Sequence, residues 1–548
     1  ALTQPDANGA NLAIGYSAMA VHTTGSRNIA IGYEAMHDTN ADSDSMGSND
    51  NVFLGYSAGG GEWQAGESSH NIGIGSYVLN AAMKGSIGNI GIGYEALNDI
   101  QEGDYNICIG FNSGDKIVDN SKNVAVGAYT LGQNGADNNV AIGYGAGGAC
   151  DDDDNVYVGY KAGEVNTGTR NIVIGSAALA SATAMDKVTV IGQDALFSAN
   201  NNAANGAIAI GWRAGYYSVP TGTATTAGNT IIGYEAGTDT GNETGLTTGI
   251  QNTVVGHQAF GANCGANITG NDNTVIGFKS GWTLNTSASN NTFMGTQSGV
   301  QVTTGNYNTA IGWKALAYDG SSSLTGNSNV CVGFYSGRKL EGGAAENVFI
   351  GSYAGDACTT GDANTAIGYA SDVSALVNNQ IAIGRASITS AADCIAIGCD
   401  ITNSTTRTVK FGDSGHSMIS QDWDSSGDST WTRSSDRRRK TNIKDNHFGL
   451  DFIKRLKTRT FTIKPQNELP KEWEAYSETN RFDTEKLHVG FIAQELKELA
   501  DEFNLPYEVI SWSEDPDGMQ RAGETKLITP LIKAVQELAQ QIEDLKKG

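Results

Sequence analysis

One short motif, Asn-X-X-aliphatic-Gly, recurs down most of this chain and limits its fold more than any other feature. It reads Asn28-Ile29-Ala30-Ile31-Gly32, then Asn89-Ile90-Gly91-Ile92-Gly93, then Asn308-Thr309-Ala310-Ile311-Gly312, with 22 copies between Gly15 and Gly398. Gly-to-Gly spacing runs from 14 to 23 residues. A unit that short cannot bury a core of its own. It has to stack on its neighbours, and lateral association with other chains is expected as well. Coils about 4.8 Å apart would make a rod on the order of 100 Å.

The residue before Gly is always Ile, Val, Leu or Met, and the one three before Gly is β-branched except at Leu12. These two positions share one side of a strand, and the often small residue between them faces the other. Both sides are largely apolar, which predicts a strand covered on two faces. Gly then permits a sharp turn or the close approach of another backbone. Asn stands four before Gly in 18 copies, the exceptions being Val188, Ala207, Gln380 and Cys394. Stacking predicts a ladder in which each Asn amide bonds the next. Tyr or Trp often follows Gly, as at Tyr16, Tyr33, Tyr94, Tyr144, Trp212 and Trp313, with Ala18, Ala35, Ala146 or Ser280 two residues further on. That predicts a second short strand with a small inward residue. The aromatics either pack over the next coil or offer a carbohydrate platform.

Charge is uneven. Residues 435–548 carry 19 Lys+Arg and 21 Asp+Glu. The other 16 and 38 lie in residues 1–434, giving 16 − 38 = −22. An acidic body disfavours nucleic acid and anionic membrane as partners. The odd number of cysteines, 7, without Cys-X-X-Cys, fits neither a disulfide framework nor a zinc site, and Cys108 and Cys331 read as buried fillers. Asp151-Asp152-Asp153-Asp154 is either a Ca²⁺ site or, the reading adopted, a solvated acidic loop. No metal and no cofactor is expected. No apolar run reaches the 18 residues of a membrane span. The chain opens at Ala1 without a leader or Met, which reads as a fragment or processed chain lacking an attachment region.

The repeat resembles the head repeats of trimeric autotransporter adhesins and similar repeats in phage tail fibres. That resemblance implies a trimeric β-roll or β-solenoid fibre over residues 1–400. The longer loops after Gly32, Gly211, Gly233 and Gly256 depart from a tight roll and make its register uncertain there.

Residues 401–434 read as a β connector, with Thr408-Val409-Lys410-Phe411-Gly412, Trp423 and Trp431. From Ser435 glycine falls and helical periodicity appears. Three segments follow in order: Ser435-Asp436-Arg437-Arg438-Arg439-Lys440, then Gly490-Phe491-Ile492-Ala493-Gln494-Glu495, then Leu527-Ile528-Thr529-Pro530-Leu531. A serine becomes a nucleophile when a base takes its proton, and a lysine among arginines is a suitable base. Together the segments resemble the endosialidase-type intramolecular chaperone, a self-cleaving peptidase domain of phage tail spikes and fibres.

The resemblance implies a small α+β chaperone domain over 435–548, ending in a coiled-coil helix. It assigns Ser435 as nucleophile, Lys440 as general base and Ser434–Ser435 as the scissile bond, with Asp436, Gly490, Gln494 and Glu495 as motif residues. Arg439 departs from the family's usual aliphatic residue before the lysine. In the last helix Ile528, Leu531, Val535, Leu538, Ile542 and Leu545 fall on successive a and d positions. An isolated coiled coil of this composition favours a dimer, and the resemblance implies a homotrimer.

The expected protein is a virion tail fibre, assembled in the host cytoplasm and meeting other tail proteins and a host cell-surface receptor, polysaccharide among the candidates. A bacterial surface adhesin and a tail spike with glycan depolymerase activity are the alternatives.

Overall fold

The computed structural model describes residues 9–22, 25–39, 47–64, 66–133, 136–198, 205–216, 228–239, 244–245, 249–261, 268–285, 287–317, 322–414, 417–420, 431–433, 437, 441–473, 476–480, 482–510, 512–515 and 518–547. The chain divides into two compact units, Ala1–Ser434 and Ser435–Gly548.

The first unit is a β-solenoid. Each repeat gives one short strand, three residues long except for Ile395–Cys399, and every such strand pairs in parallel with that of the next coil. The register never slips. Ile90 faces Ile107, Gly91 faces Cys108 and Ile92 faces Ile109. It also holds across the longer loops, where Ala30 pairs with Phe53, Ala209 with Ile231, Ile231 with Val254 and Val254 with Val275. The longer spacings do not disturb the stack. The parallel ladder also runs past the last sequence copy, because Val409–Asp413 adds one more strand on Ile395–Cys399.

The repeat glycines explain themselves. Gly93 has φ +135°, and a Cβ there would fall on the carbonyl oxygen of Gly110. The same clash recurs from Gly15 to Gly398. Only hydrogen fits where successive coils cross at this corner. Asn ladders run beside it from Asn11 to Asn171 and again from Asn229 to Asn364. They are interrupted where Val188 and Ala207 carry no amide.

A second short strand forms only in the last coils, where Ile388–Thr389 after Gly384 pairs with Thr402–Asn403 after Gly398; elsewhere the described segment after Gly is not a strand next to the Gly. It is a turn in which the residues two and four after Gly take left-handed conformations, as at Glu95 (φ 53°) and Leu97 (φ 51°). A third left-handed residue precedes each repeat Asn after Asn11, as at Tyr105 and Lys122. So short a coil must bend back on itself, and these positions supply the bends. Backbone bonds still join coils here, from Asn112 N–H to Tyr94 O at 2.9 Å and Leu97 N–H to Ser113 O at 3.0 Å. The small residue expected to face inward does so, with Ala18, Ala35, Ala146 and Ser280 buried.

The core is thin and matched in volume. Where the middle strand residue is large, glycine stands six further on: Phe53 with Gly59, Tyr157 with Gly163, Phe293 with Gly299, Phe349 with Gly355. In each pair a Cβ on the glycine would strike the ring. Where it is small, a large side chain fills the space, as with Ala30 and Met36 or Gly91 and Leu97.

Among its described residues the second unit has three α-helices, α1 (Leu450–Arg455), α2 (Ala493–Glu502) and α3 (Ile528–Lys547), and two small antiparallel sheets. Its core gathers Phe452, Leu496, Leu499, Ala500, Ile510 and Leu527.

Candidate functional site

Ser434, Ser435, Asp436 and Lys440 lie outside the described residues. Arg437 and the stretch from Thr441 to Asp445 are exposed. The remaining motif residues have definite places. Gly490 ends the strand His488–Gly490, paired with Arg459–Phe461. A Cβ on Gly490 would lie 2.8 Å from Glu524 Oε1 and 3.6 Å from the Phe461 ring, so a side chain there would have to displace the Glu524 carboxylate. Glu495 sits in the first turn of α2, where the helix dipole favours a carboxylate. It accepts a hydrogen bond from Arg459 Nε at 2.9 Å and a second from the same guanidinium. That pairing, against a smaller desolvation effect, holds its carboxyl below the ordinary value. Glu495 thus ties the sheet to the start of α2. Gln494 is exposed on the same turn.

Helix α3 has two apolar sides. Pro530 and Ala534 are buried, and Glu537 Oε2 accepts the Leu450 N–H at 2.7 Å, capping α1 where no side chain of its own does so. The heptad seam faces away. Ile528, Leu531, Val535, Leu538, Ile542 and Leu545 are 45% to 81% exposed. At the root of α3 an apolar groove of about 390 Å³ is lined by Ile453, Leu456, Phe491, Leu527, Ile528 and Leu531, among others.

The solenoid also exposes apolar surface. Within one chain only the middle residue of each strand points inward. The flanking pair is half-buried or exposed, as with Ile172 (44%) and Ile174 (39%). One roll is a single layer, so it covers only one of the two faces read as apolar. Aromatic residues one or two positions after Gly form a ring ladder, continuous from Tyr16 through Tyr33, Tyr56, Tyr77, Tyr94, Phe111, Tyr129 and Tyr144 to Tyr160. Tyr94 and Phe111 stack with centroids 5.1 Å apart. Each ring therefore packs against the ring of the next coil, stacked in some pairs and edge to face in others, and most of the rings stay exposed.

In the acidic run, Asp153 accepts the Asp137 N–H at 2.7 Å and Asp154 accepts the Asn138 amide at 3.2 Å, so these carboxylates serve inter-coil bonding. Among the described residues no group of three or more His, Cys, Asp or Glu is placed to hold a metal, and no helix is long and apolar enough to cross a membrane.

A repetitive parallel β-solenoid followed by a small α+β unit with an open heptad helix is the architecture of this chain. Residues 435–506 match the family described as the chaperone of endosialidase. A search of the curated proteins gave no match.

Proposed function

We propose that this chain is a homotrimeric viral tail fibre for host attachment, folded by a C-terminal chaperone that then cuts itself off. The observation that carries this is the position of the family match. It opens at Ser435, directly behind a solenoid whose near-uniform coils set register only weakly. Three such chains face a slow search for common alignment. A trimer formed first at α3, through the open heptad seam, raises local concentration and fixes one end. The half-exposed aliphatic ladders of the strands then have a partner surface along their length. A lone exposed apolar stripe of that size is unusual on a monomer.

Cleavage follows by acyl transfer. Ser435 Oγ attacks the Ser434 carbonyl carbon as Lys440 Nζ takes the hydroxyl proton. The C–N bond breaks, the proton passes to the leaving Ser435 amine, and an ester joins Ser434 to Ser435 Oγ. Water hydrolyses the ester, leaving a Ser434 carboxylate and free Ser435. That cut would part the two compact units. The body, no longer attached to its chaperone, is held by its unfolding barrier.

Native mass measurement of the full chain tests the trimer. Three chain masses are expected for Ser435→Ala, which stays uncut, and a lower state for Ser435→Ala carrying Leu531→Glu/Val535→Glu. A Ser435→Ala monomer, or a triple variant that still forms trimers, would contradict it.

A further inference from the structure

One coil breaks the outer surface of the solenoid. Two residues after the repeat Gly, the left-handed position carries a side chain in every copy but one: Glu95, Asn112, Tyr129, Lys161, Ala177 and so on, against Gly145. Five residues after Gly the same neighbourhood reads Asp115, Gly132, Gly148, Glu164. At this second position two successive coils lack side chains where the coils before and after have them, and at the first Gly145 alone does. The result is a groove of about 520 Å³ on the turn segment, not on the strand face with its aliphatic ladders.

Its floor is backbone, from Gly132, Gly145, Gly148 and Ala149. Asn112 and Asp115 wall one end, Lys161 and Glu164 the other, and the exposed rings of Tyr129 and Tyr144 line it. Lys161 Nζ is held by Glu164 at 2.8 Å, and Lys116 lies 4.0 Å from Asp115 and 3.0 Å from Asp99. Asn112 Oδ1 is buried without a hydrogen-bond partner. Burial raises the Asp115 carboxyl above its ordinary value.

We propose that this groove binds a neutral oligosaccharide, the receptor chemistry for the attachment function proposed above, on which the inference rests. A sugar offers apolar C–H faces to the tyrosine side and hydroxyl donors to Asp115 and Glu164. A floor without side chains lets it approach the backbone. Asp115 and Glu164 are each paired with a lysine, and the body's net charge of −22 disfavours anionic glycans.

The test uses the full chain on a panel of neutral hexose and N-acetylhexosamine oligosaccharides, with uronic-acid and sialic-acid counterparts. Gly145→Gln fills the floor and adds no backbone demand that Glu95 or Lys161 does not already meet, and a Cβ there touches only Lys161 Cγ at 3.5 Å. Asp115→Asn removes an acceptor charge. Ala370→Gln fills the equivalent position of a distant coil as a control. The wild type and A370Q should retain neutral oligosaccharides, and G145Q and D115N should lose at least about tenfold in affinity. Absence of neutral-glycan binding by the wild type, or equal binding by folded G145Q, would overturn the groove assignment. Labelling of host cells separates the two claims. Labelling that survives G145Q overturns the groove and leaves attachment standing, whereas a wild type that labels no host cells overturns attachment.

Discussion

The side-chain oxygen of Asn89 accepts two hydrogen bonds from Asn106, one from its backbone N–H at 2.9 Å and one from its side-chain amide at 3.0 Å. The remaining Asn106 amide hydrogen goes to Asn120 O at 2.8 Å, and Asn106 Oδ1 accepts the next rung, Asn123 N–H, at 3.0 Å. One residue type thereby joins three coils and satisfies the buried polar backbone at the strand entrance. A hydrophobic residue there keeps the volume and loses the bonds.

Replacing Asn106 by Ala should therefore cost about 3 kcal/mol. It strands the Asn123 N–H and the Asn120 carbonyl, at roughly 1–3 kcal/mol for each buried group. Thermal unfolding of the variant against wild type reads this directly, and a loss under about 0.5 kcal/mol would mean that the ladder is ornamental.

Gly93→Ala should disrupt the stack locally, because the new methyl meets the Gly110 carbonyl and φ is +135°. Gly343→Ala is the control. Nothing lies within 4 Å of a Cβ there, and the change should stay within about 0.5 kcal/mol of neutral. Hydrogen exchange at the neighbouring strand amides distinguishes local opening from global loss.

Volume matching predicts strong coupling between Phe53 and Gly59. Phe53→Ala leaves a cavity and should cost about 3–5 kcal/mol. Gly59→Leu overfills the same space and should cost about 1–3 kcal/mol. The double variant recreates the pattern of Gly91 with Leu97, where Leu already accepts a left-handed φ of 51°, and should recover most of both losses. Additive losses in the double-mutant cycle would refute the matching.

How much of this was legible in the sequence depends on which residues carried it. Asn89, Gly93 and Ile92 repeat without disguise, because a ladder, a backbone crossing and a strand face each admit few residue types. The left-handed bends were not legible, since Glu95, Lys161 and Tyr105 occupy them without a glycine signal. The register across the loop after Gly32 looked uncertain and is fixed, because stacking and not loop length aligns Ala30 with Phe53. In the C-terminal unit the heptad of α3 could be read, but not that Pro530 and Ala534 would dock while Leu531 and Val535 stay open. That choice depends on α1, remote in sequence. The clasp of Glu495 on Arg459 was missed likewise, because pairing across 36 residues leaves no local pattern.

Asp372 should give one coil a pH dependence. Burial, aided by Asp356, pushes its carboxyl up from 3.8 to about 6, against hydrogen bonds from the Ala357 and Val373 N–H groups. The folded state thus binds the proton more tightly than the unfolded chain. This contribution favours folding most below 3.8, weakens as pH rises, and levels off above about 6. Asp372→Asn should flatten that part of the melting profile between about pH 4 and about pH 7. An unchanged slope would contradict the assignment.

Thiol reactivity should be confined. Burial pushes the Cys108 and Cys358 thiols up to about 12 and Cys150 to about 11, and Cys331 and Cys394 are buried as well, whereas Cys399 is exposed. Among these six, only Cys399 should react with a maleimide in the native protein. Rapid labelling of Cys108 would show that the solenoid core is open.

Mass measurement under denaturing conditions tests the self-cleaving chaperone most directly. The wild type should give a body ending at Ser434 and a separate piece of roughly 13 kDa, by residue mass for its length. Ser435→Ala should remain one chain of 57.2 kDa. An intact wild-type chain, or a Ser435→Ala chain cut at the same bond, would contradict it.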